Sequence, residues 1–126
     1  MQVTYKHEWL PSGAYIKFWG DISGDEIDEA FNHVRNSPDL AKLAYVIADY
    51  LEAVDFLVTR YQILLIAAHD HWMRDSNTNL KIAIVGTKAG IIEAYKHYCE
   101  SAVIKDTFEV RTFTELCVAK NWVSGQ

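Results

Sequence analysis

The segment from Ala44 to Asp49 constrains the fold more than any other part of the chain. It is an apolar run that ends at an acid, and a short stretch through Asp55 then leads into a long apolar pattern that begins at Phe56. Such a run is typical of a strand buried on both faces of an α/β sheet. Ligands and partners of these sheets bind where strands end and helices begin, so Asp49, Asp55 and Phe56 are candidate binding residues.

The rest of the chain alternates predicted strands with predicted helices. Runs of β-branched and aromatic residues predict strands at Val3–Leu10, Ala14–Trp19, Ala44–Asp49, Lys81–Val85 and Phe108–Phe113. A capping box from Ser23 to Glu26 starts the first helix. The second helix is predicted to run from Phe56 to Arg74 with Asp55 as its cap, and Thr87 and Thr114 are predicted to cap the last two. With right-handed crossovers, the order ββαβαβαβα predicts a mostly parallel, mixed sheet of five strands covered by four helices.

The composition predicts one soluble domain that spans residues 1–126. A chain of 126 residues can bury about two-thirds of its unfolded surface. The formal net charge of −5 and the lack of clustered Lys and Arg disfavour nucleic acid as a partner. No apolar run could cross a bilayer, and the first residues do not resemble a secretory signal, so we expect a cytoplasmic protein without membrane insertion.

The second predicted helix carries two sets of apolar residues. One set is expected to cover the sheet, at helical spacing: Leu57, Tyr61, Leu64, Leu65, Ala68 and Trp72. The opposite face should be polar and does hold Asp70, but Ile63, Ile66 and Met73 lie among its polar residues. We interpret these three as candidate interface residues of a homodimer or of a complex with another protein, because contiguous exposed apolar patches usually mark contacts.

Other motifs give weaker indications of chemistry. His69 and His71 are two residues apart, a spacing that points helical side chains in different directions, so no metal is expected there. Cys99 and Cys117 lack ligand spacing and are expected to be buried, reduced thiols. Thr87 and Lys88 begin the third helix in a Gly-containing loop and are candidate residues for weak anion binding. No cofactor and no catalytic pair are predicted.

Alternating aromatic residues mark both strands of the predicted hairpin. Cross-strand packing of their rings is one interpretation, and a pocket for a small apolar or ring-bearing ligand is the other. These residues are Tyr5, His7 and Trp9 on one strand and Tyr15 and Trp19 on the next.

Three segments together resemble the STAS domain (sulphate transporter and anti-sigma factor antagonist), and most closely its SpoIIAA-like branch. The first segment is the Gly-containing strand end at Gly20–Ser23. The second runs from Ala44 to Asp55 and consists of a strand, an acid, a loop and a second acid. The third is the C-terminal part, Glu109–Phe113 followed by Ala119–Val123. The resemblance covers nearly the whole chain. It implies a non-catalytic regulatory or protein-interaction module. The similarity of SpoIIAA-like domains to lipid-transfer domains implies the alternative of a carrier or sensor of a small apolar ligand.

One position departs from the family pattern. In anti-sigma antagonists a phosphorylatable Ser or Thr directly follows the acid that matches Asp55, at a helix N-terminus that would stabilise a phosphate. This chain has Phe56 there. Thr59 is predicted to lie one turn inside the helix, so we predict no phosphorylation switch at the start of the second helix.

Overall fold

The computed structural model describes residues 4–77, 79–101, 104 and 108–125. Five strands form one sheet in the order β1-β2-β3-β4-β5. β1 and β2 form an antiparallel hairpin, and every other neighbouring pair is parallel. The strands are β1 Tyr5–Leu10, β2 Gly13–Ser23, β3 Tyr45–Leu57, β4 Lys81–Val85 and β5 Glu109–Phe113. The predicted fold class, a mixed α/β sheet with the Ala44–Asp49 strand at its centre, is confirmed.

Four helices alternate with these strands. They are α1 Gly24–Arg35, α2 Arg60–His71, α3 Ala89–Glu100 and α4 Leu116–Val123, and short 3₁₀ turns occur at Leu40–Lys42 and Trp72–Asp75. The capping box of α1 is formed as predicted, with the Ser23 side chain accepting from the backbone N–H of Glu26. The predicted start of the hairpin at Val3 lies outside the described residues.

The two faces of the sheet carry cores of different sizes. Alternate residues of the central strands, such as Val46 and Ala48, pack with α1, α2 and α3 in the main core. The intervening residues, such as Ile47 and Ala83, pack with α4 in a smaller one. Sequential strand order with right-handed crossovers explains this asymmetry, because each crossover helix then falls on the same side of the sheet. The helix that packs at the centre of the three-helix layer is α2, which contacts both α1 and α3.

β3 is longer than the sequence predicts. Its pairing with β4 ends at Asp49 and Val85, whereas its pairing with β2 continues to Ser23 and Leu57. Register shifts in this pairing flank Gly20, which adopts a φ of 70° that other residues rarely tolerate. The prediction that a helix begins at Phe56 is therefore wrong, because those residues find hydrogen-bond partners along β2, which itself continues to Ser23.

Candidate functional site

The outer side of α2 exposes a row of large apolar side chains. We call this row the α2 apolar face, and it consists of Tyr61, Leu64 and Leu65 on the helix and of Trp72 directly after it. Leu57, which the sequence predicts on the same helix, is instead the exposed last residue of β3. Tyr61 and Trp72 are each 75% exposed, and Leu65 is 41% exposed. The opposite side of α2 is also apolar and is buried. Large apolar side chains are thus buried on one side of α2 and exposed on the other, and no described part of the chain covers the exposed side.

The prediction that Ile63, Ile66 and Met73 form an exposed interface is wrong. Ile66 is 2% exposed, and Ile63 and Met73 are equally buried in the main core. The stripe that was expected to cover the sheet is the exposed one instead. The cause of the error is Asp70. This acid made the core side of α2 look polar in the sequence, but its side chain is fully buried and is hydrogen-bonded by Arg35.

A buried polar cluster holds α2 between its neighbours. The Arg35 guanidinium of α1 donates to an Asp70 carboxylate oxygen at 2.5 Å, and the Tyr98 hydroxyl of α3 donates to the other oxygen at 2.8 Å. Arg35 also binds the Asp28 carboxylate at 2.6 Å, and that carboxylate contacts His69 of α2 at 2.9 Å. One cluster thus links three helices and orients α2 about its own axis.

Burial raises the pKa of the Asp70 carboxyl. Removal from water raises the pKa of Asp70 to about 6, and the positive charge of Arg35 and the hydrogen bonds from Tyr98 and Arg35 oppose that rise. Neither Arg35 nor Tyr98 is predicted from the sequence as a partner of Asp70. A lone acid within an apolar helical stripe was the signal that could have predicted them, since buried charges require partners.

A groove separates α1 from the C-terminal part of α2, beside this cluster. It has a volume of about 610 Å³. Its lining includes the carboxylates of Asp25, Asp28 and Glu29 and the exposed indole of Trp72. The groove is therefore acidic on its α1 side and aromatic on its α2 side, next to the α2 apolar face.

Asp49 is a buried, fully engaged carboxylate rather than an open binding residue. It is 5% exposed, and it accepts hydrogen bonds from the Tyr15 hydroxyl and, at 2.9 Å, from the backbone N–H of Leu51. The sequence predicts that the strand ends at Asp49, but β3 continues past it to Leu57. The Tyr15 pKa is raised by burial and by this carboxylate.

Asp55 and Phe56 lie within β3 and not at the start of a helix. Asp55 is exposed and pairs in register with Asp21, and Phe56 packs edge-on against Tyr50. The residue that caps α2 is Thr59, whose side chain accepts from the Gln62 backbone N–H at 3.1 Å. The predictions that Asp55 caps this helix and that Thr59 lies inside it are both wrong, because the helix begins four residues later than predicted.

Thr87 and Lys88 are exposed after β4, but their roles differ from the prediction. Lys88 occupies the N-cap position of α3, where no side-chain hydrogen bond is formed, so Thr87 is not the cap. Asp49 pairs with Val85 just before this loop, whereas Asp55 lies farther along β3, beyond the end of β4. The five candidate binding residues therefore do not converge on one site.

The aromatic rows of the hairpin lie on opposite faces of the sheet. His7 pairs with Ile16 on the helical side, where Trp9 stacks on the His7 ring at a centroid separation of 5.8 Å. Cross-strand packing between the two rows is therefore excluded. His7, Trp9 and His33 line a groove of about 680 Å³ between β1 and α1, and burial lowers the pKa of His7.

Three further features of the described residues are possible metal ligands, the two cysteines and the length of the helices. Among them, no group of three or more His, Cys, Asp or Glu side chains could hold a metal ion. Cys99 is half-buried with a raised pKa, but Cys117 is exposed, which corrects the prediction that both are buried. No helix in this part of the chain is both long and apolar enough to cross a membrane.

Comparison with protein families, with curated proteins and with solved structures found no match for this chain.

Proposed function

We propose that this chain is a non-catalytic regulatory or protein-interaction module of the STAS, SpoIIAA-like kind, acting in the cytoplasm through the α2 apolar face. The observation that carries this proposal is the exposure of Tyr61, Leu65 and Trp72 on a helix whose other side is already buried. Exposed apolar area of this extent gives association a hydrophobic driving force. The cluster around Asp70 supports the proposal, because it holds this surface in one orientation.

A photo-crosslinking experiment tests this role in the native cell. Benzoylphenylalanine replaces Tyr61, and a control variant carries the same group in place of Val118, which is exposed on α4 at the other side of the sheet. Covalent protein adducts should form at position 61 and should be several times weaker at position 118. Equal labelling at both positions, or none at position 61, would refute an interaction role for this face.

A second candidate is a carrier or sensor of a small apolar, ring-bearing ligand. The groove between β1 and α1 favours it, because about 680 Å³ lies in the range of small-molecule sites and the Trp9 indole is half-exposed beside it. Native mass spectrometry of the freshly purified protein would detect a retained ligand. A Trp9→Ala variant that keeps the same added mass would exclude this groove as its site.

A further inference from the structure

We propose that the groove between β1 and α1 binds a flat heteroaromatic ring of the lactam type, which carries an N–H donor and a C=O acceptor side by side on its edge. This inference rests on the second candidate function, since it names the class of ligand that the same groove would take. The groove combines an anchored indole, apolar walls and two amide side chains with unused hydrogen-bonding groups. Each of these features matches one part of such a ring.

The indole of Trp9 offers one free face to a ligand. His7 stacks on the other face, with the two ring planes 6° apart and their centroids 5.8 Å apart. No second ring of the described residues contacts the indole, and Trp9 is 50% exposed. Flat aromatic rings stack favourably on such a surface in an offset arrangement. The free face of Trp9 is therefore the stacking surface for the ligand ring.

The indole is held in place by the chain itself. The Nε2 atom of His7 lies 2.9 Å from the carbonyl oxygen of Ala30 in α1. A carbonyl oxygen only accepts hydrogen bonds, so Nε2 carries a proton and donates this one. The His33 ring packs edge-on against the His7 ring at a centroid separation of 4.9 Å. Two residues of α1 thus fix the ring on which Trp9 stacks, and a preorganised surface lowers the entropy cost of binding.

Apolar side chains complete the walls of the groove. Pro11 of the hairpin turn and Pro38 after α1 both line it, together with Leu43. Leu43 belongs to the main core and is 7% exposed, so it supplies a fixed apolar surface. A ring that stacks on Trp9 therefore finds apolar contacts as well.

A pair of amides on the α1 side supplies the polar contacts. Asn36 Nδ2 donates to Asn32 Oδ1 at 3.1 Å, and both residues line the groove. This bond leaves the Asn36 carbonyl oxygen and the Asn32 NH₂ group without a partner among the residues that the structure describes. The first is an acceptor and the second a donor. Together they complement the N–H and C=O groups of a lactam edge, whereas a hydrocarbon ring would use neither.

The charges of the lining favour a neutral ring. Apart from two histidines, the lining holds one acid and one base, Asp39 and Lys42, whose charges cancel. Burial lowers the pKa of His7, so that ring is neutral at neutral pH. Without an excess of either charge, the groove has no preference for an organic anion or cation, and a lactam is uncharged.

An NMR titration with three small bicyclic probes tests the class of ligand. Isotope-labelled protein is titrated with carbostyril, which has both lactam groups, with N-methylcarbostyril, which lacks the donor, and with indole, which lacks the acceptor. Chemical shifts give the dissociation constants, and the signal of the Trp9 indole N–H reports binding in the groove. Carbostyril should bind at least about threefold more tightly than either other probe, which corresponds to one net hydrogen bond.

Variants locate the site and the groups that recognise the ring edge. Trp9→Ala should weaken the binding of all three probes at least about fivefold, because the stacking surface is lost. Trp72→Ala is the matched control, since it removes an exposed indole from the groove on the other side of α1 and should change nothing.

A double variant tests the amide pair. Asn32→Leu combined with Asn36→Leu should bring the three dissociation constants to within about twofold of one another, because neither edge group then finds its partner. Both residues are exposed, so the fold should persist. Circular dichroism checks this, and the corresponding pair of Ala substitutions replaces the Leu pair if the protein is unfolded.

The results separate the ligand class from the site. If carbostyril binds no more tightly than N-methylcarbostyril but both still require Trp9, the lactam assignment is overturned and the second candidate function stands. If no probe shifts the Trp9 signal, or if Trp72→Ala weakens binding as much as Trp9→Ala does, the inference fails as a whole. The second candidate function then survives only if native mass spectrometry detects a ligand whose retention requires Trp9.

Discussion

The orientation of α2 predicts that two adjacent side chains differ sharply in their contribution to stability. Ile66 is 2% exposed in the main core, whereas Leu65 is 41% exposed on the outer face. Ile66→Ala removes three buried carbon atoms, which costs about 2.4 kcal/mol in transfer free energy at about 0.8 kcal/mol each. The cavity that remains brings the expected loss in the free energy of unfolding to about 3 kcal/mol.

Leu65→Ala is the matched control, because it truncates a neighbouring aliphatic residue of the same helix. We expect a loss below about 1 kcal/mol, since surface substitutions have small effects and Ala has the higher helix propensity. Both values are measured by urea unfolding of dilute protein, where association contributes little to stability. The slope of free energy against urea should be unchanged, and only the midpoint should shift.

The opposite result would refute the assigned orientation of α2. If Leu65→Ala cost about 3 kcal/mol and Ile66→Ala were nearly neutral, the stripe predicted from the sequence pattern would be the core. A loss of about 3 kcal/mol is a large share of the 5–15 kcal/mol typical of folded domains. By the same reasoning, Ile66→Glu should unfold the protein, because it would bury an unpaired charge in that core.

The remaining predictions concern hydrogen bonds and titration. The Asp70 pKa is raised to about 6 in the folded protein, from an unfolded value near 3.9, so the folded protein binds more protons between these pH values. The contribution of Asp70 to the free energy of unfolding should therefore fall by about 3 kcal/mol as the pH rises from about 4 to above 6. Asp70→Asn should abolish that component, and a difference between the two proteins that does not vary with pH would contradict it. Tyr98→Phe leaves one Asp70 oxygen without its donor and should cost about 1–3 kcal/mol in urea unfolding at pH 7; a neutral result would show that water replaces the hydroxyl. Thr59→Ala should cost about 1 kcal/mol by loss of the α2 cap, whereas Thr59→Ser should retain most of it, and equal losses would argue against the cap.

Local patterns were sufficient to predict the element order and the sheet. The hairpin, the capping box at Ser23 and the buried strand Lys81–Val85 are each encoded within a few neighbouring residues. The length of β3 was not predictable in this way. Its last residues are held by β2, and the pairing depends on register shifts around Gly20 that no property of the segment Val54–Leu57 indicates.

The candidate site depended on tertiary structure for a more specific reason. The α2 sequence carries two apolar stripes on opposite sides of one helix, so periodicity alone does not decide which stripe faces the sheet. The sequence favoured the stripe without an acid. The structure buries the other one, because Arg35 of α1 and Tyr98 of α3 satisfy Asp70 inside the core. Since these partners come from helices far away in the chain, only their packing together decides which residues α2 leaves exposed.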